Sequence, residues 1–319
     1  MAGSLQYWPR RRAGRRLPRI RSAGSVKEVS LSNLLTYKVG MTTLSIIDDS
    51  NSPAKGQEVS KACTILELPA MEVYGIRLYS IDEATRYKKA HVDILSKAAA
   101  QKLGIKSVKN DESKIPSGEK LDGITDVALL VAADPKTTGT NTNHHERFEA
   151  NVTGKDVKEK LAFATSKLGK ELRANEIFKN GEFVDVVSTS KGKGWQGPIK
   201  RFGVSRMFHK ATGKIRHVGT LGAFTPGKVM YTVPMAGQMG FNYRTEHNKR
   251  IVRLGTKEEA TTINPKSGFK NYGLVRNDYV IIEGSVPGPA KRIVRIKKSV
   301  ENRNSRGINE AKVNFIKGW

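Results

Sequence analysis

The surplus positive charge of this 319-residue chain is confined to three stretches. Residues 1–24 carry seven arginines and no acid, residues 188–254 carry thirteen lysines or arginines against one acid, and residues 291–319 carry nine against two. These surpluses account for the whole formal net charge of +26, so the rest of the chain is electrically balanced. A neutral body with cationic segments at both ends and in the middle indicates a folded core that binds a polyanion.

Length and cysteine content limit the class of protein further. The chain is long enough for one large or two medium domains. The single cysteine, Cys63, excludes an intrachain disulfide and is typical of a buried thiol in a reducing compartment. No apolar run approaches the roughly 18 residues of a membrane span. The Arg-rich start resembles an organellar transit peptide, but Pro9 and Pro18 interrupt any amphipathic helix, which favours a nucleic-acid-binding arm.

Short runs of β-branched and apolar residues predict a mainly β body. Strands are predicted at residues 44–47, 62–68, 73–80, 127–132 and 183–187, with 64–69 and 73–79 paired in one antiparallel sheet. Residues 271–284 predict two strands around a turn at Asn277-Asp278, and residues 291–298 predict a strand with one buried and one cationic side.

Two segments have a helical pattern. Between residues 82 and 134 this pattern is clearest at 90–103, and residues 157–172 predict an amphipathic helix. The apolar face of this second helix consists of Leu161, Phe163, Ala164, Leu168 and Leu172. Strands on both sides of a central insertion predict a small antiparallel β-barrel with helices on one flank.

Residues 192–197 match the dinucleotide-binding pattern G-x-G-x-x-G after a predicted strand. A dinucleotide site also needs a helix at the last glycine and an acid about 20 residues further on. Pro198 follows instead, no helical period is visible, and the next acid is Glu246. The segment therefore predicts a flexible glycine loop that brings nearby lysines close to phosphates, namely Lys191, Lys193 and Lys200.

No catalytic or metal-binding residue is predicted. His144-His145-Glu146 lacks the spacing of a zinc site and is typical of a polar surface turn. The histidines of the central block, His209, His217 and His247, have no nucleophile and orienting acid at a recognisable spacing. Contact with a base or a phosphate suits them better. Glu246 is expected to pair with neighbouring cations.

The central block, residues 188–254, interleaves its cations with ten glycines and seven aromatic residues. It has too few aliphatic residues to form a core of its own. Cations that bind phosphate and rings that stack on unpaired bases suit an irregular RNA surface. The alternative is a solvated basic face whose aromatic residues belong to the core. These residues are Trp195, Phe202, Phe208, Phe224, Tyr231, Phe241 and Tyr243.

Several strings occur in an order that resembles one protein family. Residues 222–229 are GAFTPGKV, residues 235–240 are MAGQMG, and residues 244–249 are RTEHNK. The glycine loop at 191–197, the arginine arm and the string KVGMT at 38–42 precede them. Together they resemble the family of large-subunit ribosomal protein three, in its archaeal or eukaryotic branch, and the chain length favours an archaeal member.

The resemblance implies a fold and a domain organisation. Members have a six-stranded translation-protein β-barrel with a helical insertion, a long central extension and extended basic termini. On this chain the expected divisions are a basic arm at 1–24, a barrel at 25–81, 180–190 and 255–298, an α/β insertion at 82–179, an extension at 191–254 and a basic tail at 299–319.

The resemblance also implies a function. Members are structural constituents of the large ribosomal subunit in the cytoplasm, bind 23S-type rRNA early in assembly, and are not enzymes. The central extension is expected to reach toward the peptidyl transferase centre, and the charged arms to stay apart until rRNA orders them. The expected protein neighbours are large-subunit protein fourteen and the archaeal and eukaryotic protein twenty-four. No membrane partner and no cofactor are expected, and Mg²⁺ or monovalent ions would be held by the rRNA.

Two alternatives remain open at this point: a general DNA- or RNA-packaging protein, and a nucleotide-dependent oxidoreductase that uses the glycine loop. Competition between duplex DNA and structured rRNA distinguishes the first alternative from a ribosomal role. Nucleotide titration distinguishes the second, because a dinucleotide enzyme binds its cofactor saturably without RNA.

The family resemblance assigns the tip of the extension to Gly222, Ala223, Phe224, Thr225 and Pro226. Phe224 takes the place of a tryptophan of eukaryotic members, so the ring is retained and the indole N–H is lost. A glutamine that is methylated in bacterial members has no counterpart, and a histidine that is modified in eukaryotic members falls near Thr212. The residues expected to bind rRNA are Arg10, Arg11, Arg12, Arg15, Arg16, Arg19, Arg21, Lys191, Lys193, Trp195, Lys200, Arg201, Arg206, His209, Lys210, Lys214, Arg216, His217, Phe224, Lys228, Gln238, Arg244, Asn248, Lys249 and Arg250.

Overall fold

The computed structural model describes residues 4–20, 28–82, 84–105, 110, 115–116, 123–211, 213–299 and 313–316. The β-rich runs of the sequence form strands, and the described part of the chain is mainly β with short helices. The strands are β1 Asn33–Ile47, β2 Glu58–Glu67, β3 Ala70–Ile81, β4 Lys88–Leu95, β5 Ile124–Asp134, β6 Glu146–Asn151, β7 Glu171–Leu172, β8 Phe183–Thr189, β9 Trp195–Gln196, β10 Gly237–Gln238, β11 Tyr243–Gly255, β12 Tyr279–Glu283, β13 Ile293–Lys298 and β14 Val313–Ile316. The α-helices are α1 Lys97–Lys102, α2 Val157–Lys167, α3 Pro198–Phe202 and α4 Ala260–Ile263.

The described residues form two compact units. The larger, which we call the body, consists of Leu17–Ser188 and the chain from Thr245 onward. The smaller, which we call the basic unit, consists of the N-terminal segment up to Arg16 and of Thr189–Arg244. The two units differ in charge, because the body contains all of the chain's acidic residues.

The first sheet of the body has the strand order β13-β8-β11-β12-β2-β1-β14, and β13 also pairs with β1. Six of its strands therefore follow one another in a closed ring of hydrogen-bonded neighbours. β8 and β12 are almost wholly buried, as expected for β-branched strands with neighbours on both edges. The strands predicted at 44–47, 62–68 and 183–187 are confirmed as parts of β1, β2 and β8.

The second sheet of the body has the order β4-β3-β5-β6, with β7 paired to the free part of β3. Its central strand β5 is buried along almost its whole length, which confirms the strand predicted at 127–132. Helix α2 packs on this sheet and buries Leu161 and Ala164. Both sheets contribute to one hydrophobic core, for example through Ile65 on β2 and Val131 on β5.

The predicted pairing of residues 64–69 with residues 73–79 is wrong. β2 pairs with β1 and β12, whereas β3 pairs with β4, β5 and β7, so the two strands lie in different sheets. Only Leu68 and Pro69 separate them. The Leu68 N–H donates to the carbonyl of Asp278 rather than to a hairpin partner, and Pro69 has no N–H to donate. The chain therefore changes sheet at this point.

The helical interpretation of residues 82–134 is also wrong for most of the segment that the structure describes. Residues 88–95 form β4, which pairs with β3 from Ile81↔Lys88 to Gly75↔Leu95, and only Lys97–Lys102 is helical. The edge of β3 offers this segment a ladder of backbone hydrogen bonds with one register shift, between Leu78 and Tyr79, and this tertiary pairing outweighs a weak helical period. Residues 106–109, 111–114 and 117–122 lie outside the described part.

Three smaller predictions need correction. Helix α2 ends at Lys167, before Gly169, so Leu172 lies in β7 and not on the helix face. Residues 271–277 form a loop, and only the second of the two strands predicted at 271–284 exists, as β12. The strand at 291–298 is confirmed as β13, but it has no cationic outer side, because Arg295 is buried and donates to the carbonyl of Pro18.

The loop at 271–277 owes its shape to one buried carboxylate. Glu67, at the end of β2, accepts hydrogen bonds from the backbone N–H of Arg276 and Asn277, at 2.8 and 3.0 Å, and from Asn277 Nδ2 at 3.0 Å. The hydroxyl of Tyr272 donates to its other oxygen. Burial and the Glu67 charge both raise the pKa of Tyr272, so this hydroxyl keeps its proton. Four donors on the loop thus converge on one side chain.

We predict that Glu67→Ala destabilises the chain by about 3 kcal/mol, because it leaves these buried donors without an acceptor. Glu67→Gln keeps the oxygen that binds the three N–H groups and should cost only about 1 kcal/mol. The measurement is urea unfolding of each variant followed by circular dichroism. Equal losses of unfolding free energy in the two variants would contradict the role of the Glu67 oxygen as the acceptor for the loop.

Candidate nucleic-acid interface

The basic unit has no acidic residue. Its N-terminal part carries five arginines, and Thr189–Arg244 carries ten further lysines or arginines, without a single Asp or Glu. In the body, by contrast, cations pair with carboxylates: Arg77 contacts both Asp93 and Glu149. The cations of the basic unit repel one another, because the unit contains no negative side chain to balance them. Binding of an anion relieves this repulsion.

The two ends of the extension are held together by backbone hydrogen bonds. β9 pairs with β10, and Lys193 N–H donates to Met239 O while Met239 N–H donates to Gly194 O, both at 2.9 Å. Gly240 closes this ladder with φ +75°. A Cβ at Gly240 would lie 2.0 Å from the carbonyl oxygen of Lys191, so only glycine allows the two chains to approach this closely.

The glycine loop leads into a short helix, which corrects one sequence expectation. Helix α3 begins directly after Gly197, with Pro198 at its first position, where its missing N–H costs no hydrogen bond. Gly203 ends it in the left-handed conformation at φ +71°. The helix has five residues, far shorter than the helix of a dinucleotide-binding unit, and no acid follows at the required distance. The oxidoreductase interpretation therefore gains nothing from the helix.

Arg201, on α3, holds the two sides of the extension together. Its Nε donates to the carbonyl of Gln238 at 3.1 Å and its Nη1 to the carbonyl of Met235 at 2.9 Å. Its guanidinium carbon lies 4.9 Å from the ring centroid of Phe202. Burial and the nearby charge of Arg10 lower the pKa of Arg201, because both disfavour its charged form. The sequence places Arg201 among RNA ligands, and the structure gives it a structural task as well.

The N-terminal arm packs against the extension through aromatic and backbone contacts. The ring of Trp8 stacks on Phe202 at 5.9 Å and meets Tyr231 edge-on at 6.0 Å, and the Arg10 guanidinium lies 5.0 Å from the Phe202 ring. Ala13 N–H donates to Phe241 O at 2.7 Å. The expectation that charge holds this arm apart is therefore wrong. Ring stacking and carbonyl acceptors favour association where no carboxylate is present.

Sequence reasoning missed the aromatic part of this arm. Tyr7 lies under the guanidinium of Arg244, with 4.7 Å from the guanidinium carbon to the ring centroid, and Trp8 is the anchor described above. The adjacent aromatic pair Tyr7-Trp8, just before the first arginine, is the signal that could have shown it. The arm has no alternating pattern of apolar residues that would predict packing, so its arginine count by itself predicts only a charged segment.

Most of the predicted RNA-binding residues are exposed to solvent. The middle of the extension has no shielding on most of its side chains: Phe224, at the predicted tip, is 98% exposed, Phe208 is 88% exposed and Trp195 is 77% exposed. All five residues of the predicted tip, 222–226, are exposed. The predicted RNA-binding residues of this unit that are exposed are Arg11, Arg12, Arg15, Arg16, Lys191, Lys193, Trp195, Lys200, Arg206, His209, Lys210, Lys214, Arg216, His217, Phe224 and Lys228.

Other predicted residues are partly covered. Arg10, Arg201, Gln238 and Arg244 are half-buried within the basic unit. Arg19 is exposed and belongs to the body, whereas Arg21 lies outside the described residues. Of the tail at 299–319, only Ser299 and β14 are described, and β14 pairs with β1.

Arg250 does not fit the predicted role. It is only 5% exposed, and its two Nη atoms donate to the two carboxylate oxygens of Asp49 at 2.8 and 2.6 Å. A bidentate pair of this kind inside the body leaves no donor face for a phosphate. Lys249 pairs with Glu246 at 2.8 Å, as expected for this acid. Asn248 N–H donates to the buried carboxylate of Asp185 at 3.1 Å, so this residue is also engaged inside the body.

The described residues of the basic unit line two cavities rich in cations, among others. One, of about 380 Å³, is lined by Arg10, Ser190, Lys191, Lys193, Arg201, Gln238, Met239, Gly240, Asn242 and Arg244. The other, of about 630 Å³, is lined by Arg12, Ala13, Gly14, Arg15, Arg16, Gly192, Gly194, Gln238 and Phe241. Every charged group in either lining is a cation. The N-terminal arm and the glycine loop thus both contribute to the lining of each cavity.

Other chemistry receives no support from the described residues. They contain no group of three or more His, Cys, Asp or Glu side chains placed to hold a metal ion. His144 is exposed and lies in the loop before β6. Cys63 is fully buried, and burial raises the pKa of its thiol to about 11, which makes it a poor nucleophile. No described helix is long and apolar enough to cross a membrane.

Comparison with known proteins agrees with this geometry. The family described as ribosomal protein L3 matches residues 1–317. The large ribosomal subunit protein uL3 of Methanothermobacter thermautotrophicus is 42% identical over 307 residues, which are 93% of this chain and 90% of that protein. The corresponding protein of Methanococcus vannielii is 43% identical over 305 residues, again 93% of this chain and 90% of the relative, and that of Methanosphaera stadtmanae is 38% identical over 98% of this chain and 95% of the relative.

The chain belongs to the ribosomal protein L3 family. Its relatives named here are archaeal, which confirms the predicted family and its archaeal branch. Membership of a family of structural ribosomal proteins also agrees with the prediction that the chain is not an enzyme. Of the strings that carry the resemblance, residues 191–197, 222–229 and 235–240 lie in the basic unit, whereas residues 38–42 and all but the first residue of 244–249 lie in the body.

We predict that Arg201→Ala loosens the extension without unfolding the body. Loss of its two hydrogen bonds to carbonyl oxygens, worth about 1.4 kcal/mol net, should raise chymotryptic cleavage within residues 203–236 about tenfold. Limited proteolysis followed by mass spectrometry measures this. Lys200→Ala, an exposed neighbour on the same helix, is the matched control and should leave the rate unchanged. Equal rates for the two variants would contradict the role of Arg201.

Proposed function

We propose that this chain is a structural protein of the large ribosomal subunit that binds large-subunit rRNA through its basic unit. The observation that carries this proposal is the basic unit itself, which has no acid, exposes most of its cations and leaves the rings of Phe224, Phe208 and Trp195 largely exposed. Membership of the ribosomal protein L3 family supports the ribosome as the place where it acts, in the cytoplasm.

Two interactions would hold the RNA. Lysines and arginines neutralise phosphates and release counterions, which provides affinity without sequence preference. Exposed rings such as Trp195, Phe208 and Phe224 stack on unpaired bases, which folded rRNA presents in its loops and bulges. An isolated protein rarely exposes so many large apolar side chains next to cations unless a partner covers them.

The division of labour between the units follows from their charge. The body, with its carboxylates paired to cations and one shared core, is stable without RNA. Within it, the closed ring β1-β2-β12-β11-β8-β13 has the number of strands expected for the translation-protein β-barrel, and we assign that fold to it. Because β11 belongs to this ring, we propose a barrel at 25–81, 180–190 and 243–298 and an extension at 191–242, in place of the expected boundary at 254. The other divisions stay as expected: an arm at 1–24, an insertion at 82–179 and a tail at 299–319.

The extension is assigned to the path toward the peptidyl transferase centre, with Phe224 at its tip. The 98% exposure of Phe224 supports a role in contact with RNA, because the described residues leave this apolar ring in water. The protein neighbours proposed from the family are large-subunit protein fourteen and protein twenty-four. Mg²⁺ or monovalent ions would enter with the rRNA and would not need a protein cage.

We predict that the native protein sediments with large ribosomal subunits and stays bound in moderate salt. The purified chain should bind a large-subunit rRNA fragment with a log–log salt dependence of about −5 or steeper, because many counterions are released. Filter binding over a range of salt concentrations measures the slope.

Two competition controls separate this role from the alternatives. Duplex DNA of equal length should compete poorly with the rRNA fragment, and equal competition would favour a general packaging protein. NAD(P)⁺ should show no saturable binding, and saturable binding that is unaffected by RNA would favour an oxidoreductase. A salt slope near zero would remove the electrostatic basis of the proposal.

We predict that Phe224→Ala leaves incorporation of the protein unchanged but alters the peptidyl transferase centre. Loss of stacking worth about 1–3 kcal/mol should increase the chemical reactivity of RNA bases at that centre. Dimethyl sulfate probing of purified subunits measures the reactivity, and quantitative mass spectrometry measures incorporation. Phe208→Ala removes an equally exposed ring outside the tip and is the control. The same reactivity pattern in both variants would contradict the assignment of Phe224 to the tip.

A further inference from the structure

The smaller cavity of the basic unit has the chemistry of an anion site. Its volume is about 380 Å³ and its lining includes Arg10, Lys191, Lys193, Arg201 and Arg244, with no acid. We infer that it is a pocket for one backbone phosphate of an unpaired RNA nucleotide, held between the N-terminal arm and the glycine loop. This inference rests on the proposed rRNA-binding function and specifies one discrete contact within it.

The five cations reach the cavity from four places in the chain, namely the N-terminal arm, the glycine loop, helix α3 and strand β11, and each is fixed. Arg10 comes from the N-terminal arm, which Trp8 anchors by stacking on Phe202. Lys191 and Lys193 come from the glycine loop, whose Lys193 N–H and Lys191 carbonyl are bonded to the opposite strand. Arg201 and Arg244 are held in place by carbonyl oxygens and by aromatic rings. A site built on fixed elements loses little entropy when the ligand binds.

Hydrogen-bond donors outnumber acceptors in the lining. The carbonyl oxygens of Gln238, Met239 and Gly240 already accept from Arg201 Nε, Lys193 N–H and Gln238 Nε2, respectively. Meanwhile the Nε–H of Arg10 is buried and donates to no atom of the described residues. The ammonium groups of Lys191 and Lys193 have no carboxylate in their own unit to pair with. A lining rich in unused donors selects an anion over a cation or a neutral group.

Crowding of like charges supports the same inference. Arg10 and Arg201 place their guanidinium carbons 5.0 and 4.9 Å from the centroid of one ring, that of Phe202. The positive charge of Arg10 is one of the causes that lower the pKa of Arg201, after burial. An anion between them converts this repulsion into two attractions.

The size of the cavity favours a phosphate within a chain over a free ion. At about 380 Å³ it lies at the lower end of the range for small-molecule pockets, roughly 300–1,000 Å³, and so exceeds what inorganic phosphate fills. It leaves room for an attached ribose. Arg244 uses its Nη1 on the carbonyl of Tyr243, and its Nε–Nη2 edge matches a phosphate with two parallel hydrogen bonds, which lysine cannot offer. Arg201, whose Nε and Nη1 donate to carbonyl oxygens, adds its charge.

The experiment asks whether the cations of the cavity act on one particular phosphate of the RNA. The variant Lys191→Gln with Lys193→Gln removes two cations of the lining and leaves their backbone hydrogen bonds intact. Its matched control, Lys200→Gln with Lys210→Gln, removes two exposed lysines of the same unit that do not line the cavity. Each full-length protein is mixed with an rRNA fragment that carries random phosphate ethylation, and bound and free RNA are separated and mapped.

We expect one phosphate whose ethylation weakens RNA binding by the unaltered chain and by the control about tenfold. Ethylation of the same phosphate should leave the RNA affinity of the pocket variant unchanged, because this variant has already lost the contact. If binding persists and no phosphate shows this loss of effect, the pocket inference is overturned while the proposed function stands. If the unaltered chain does not bind the fragment, the proposed function itself fails.

A second measurement addresses the pocket without RNA. Inorganic pyrophosphate, at constant ionic strength set by chloride, should raise the melting temperature of the unaltered chain and of the control, but not of the pocket variant. Equal stabilisation of all three proteins would indicate nonspecific anion binding and would overturn the inference. If pyrophosphate stabilises none of the three proteins, the inference of a preformed anion pocket is also overturned.

Discussion

Cations in this chain are held in two different ways, and the rest of the structure depends on that difference. In the body many of them pair with carboxylates, as Arg250 pairs with Asp49, although the buried Arg295 donates to the carbonyl of Pro18. In the basic unit, which has no carboxylate, they contact carbonyl oxygens and aromatic faces, as Arg201 contacts Gln238 O and the Phe202 ring. Carbonyl and ring contacts position a guanidinium without neutralising it. The basic unit therefore combines a defined shape with a charge that only a partner can balance.

The extension is inserted in the chain between two neighbouring strands of the first sheet. The chain enters the extension from β8 and returns along β11, and these strands are adjacent in the first sheet. An insertion between adjacent strands has its two ends fixed at short separation, so a long segment can be accommodated at little cost in loop entropy. Within the basic unit, backbone hydrogen bonds in the β9–β10 pair and between Lys191 and Phe241 hold the outgoing and returning segments together. A polar, glycine-rich segment gains order in this way without a core of its own.

Much of the candidate interface was predictable from the sequence, because exposure follows directly from composition. A stretch with thirteen bases, one acid and few aliphatic residues cannot bury its side chains, and the structure exposes residues such as Arg206, Lys214 and Phe224. The failures share another cause. Arg250 is buried against Asp49, which lies 201 positions away, and Trp8 meets Phe202 across almost as long a separation. Neither partner can be inferred from the local pattern around the residue.

By itself, the sequence determined where the charge lies, which segments form buried strands such as β5 and β8, and which family the chain resembles. Each of these features depends on local composition or on short strings of consecutive residues, so it can be recognised without knowing which distant residues come into contact. Only the tertiary structure decided that β2 and β3 enter different sheets, that residues 88–95 complete a sheet edge, that Arg295 is buried, and that the N-terminal arm and the glycine loop share two cavities. These features depend on which distant backbone and side-chain groups become neighbours, and the energy of a hydrogen bond or a stacked ring is decided only when both partners are in place.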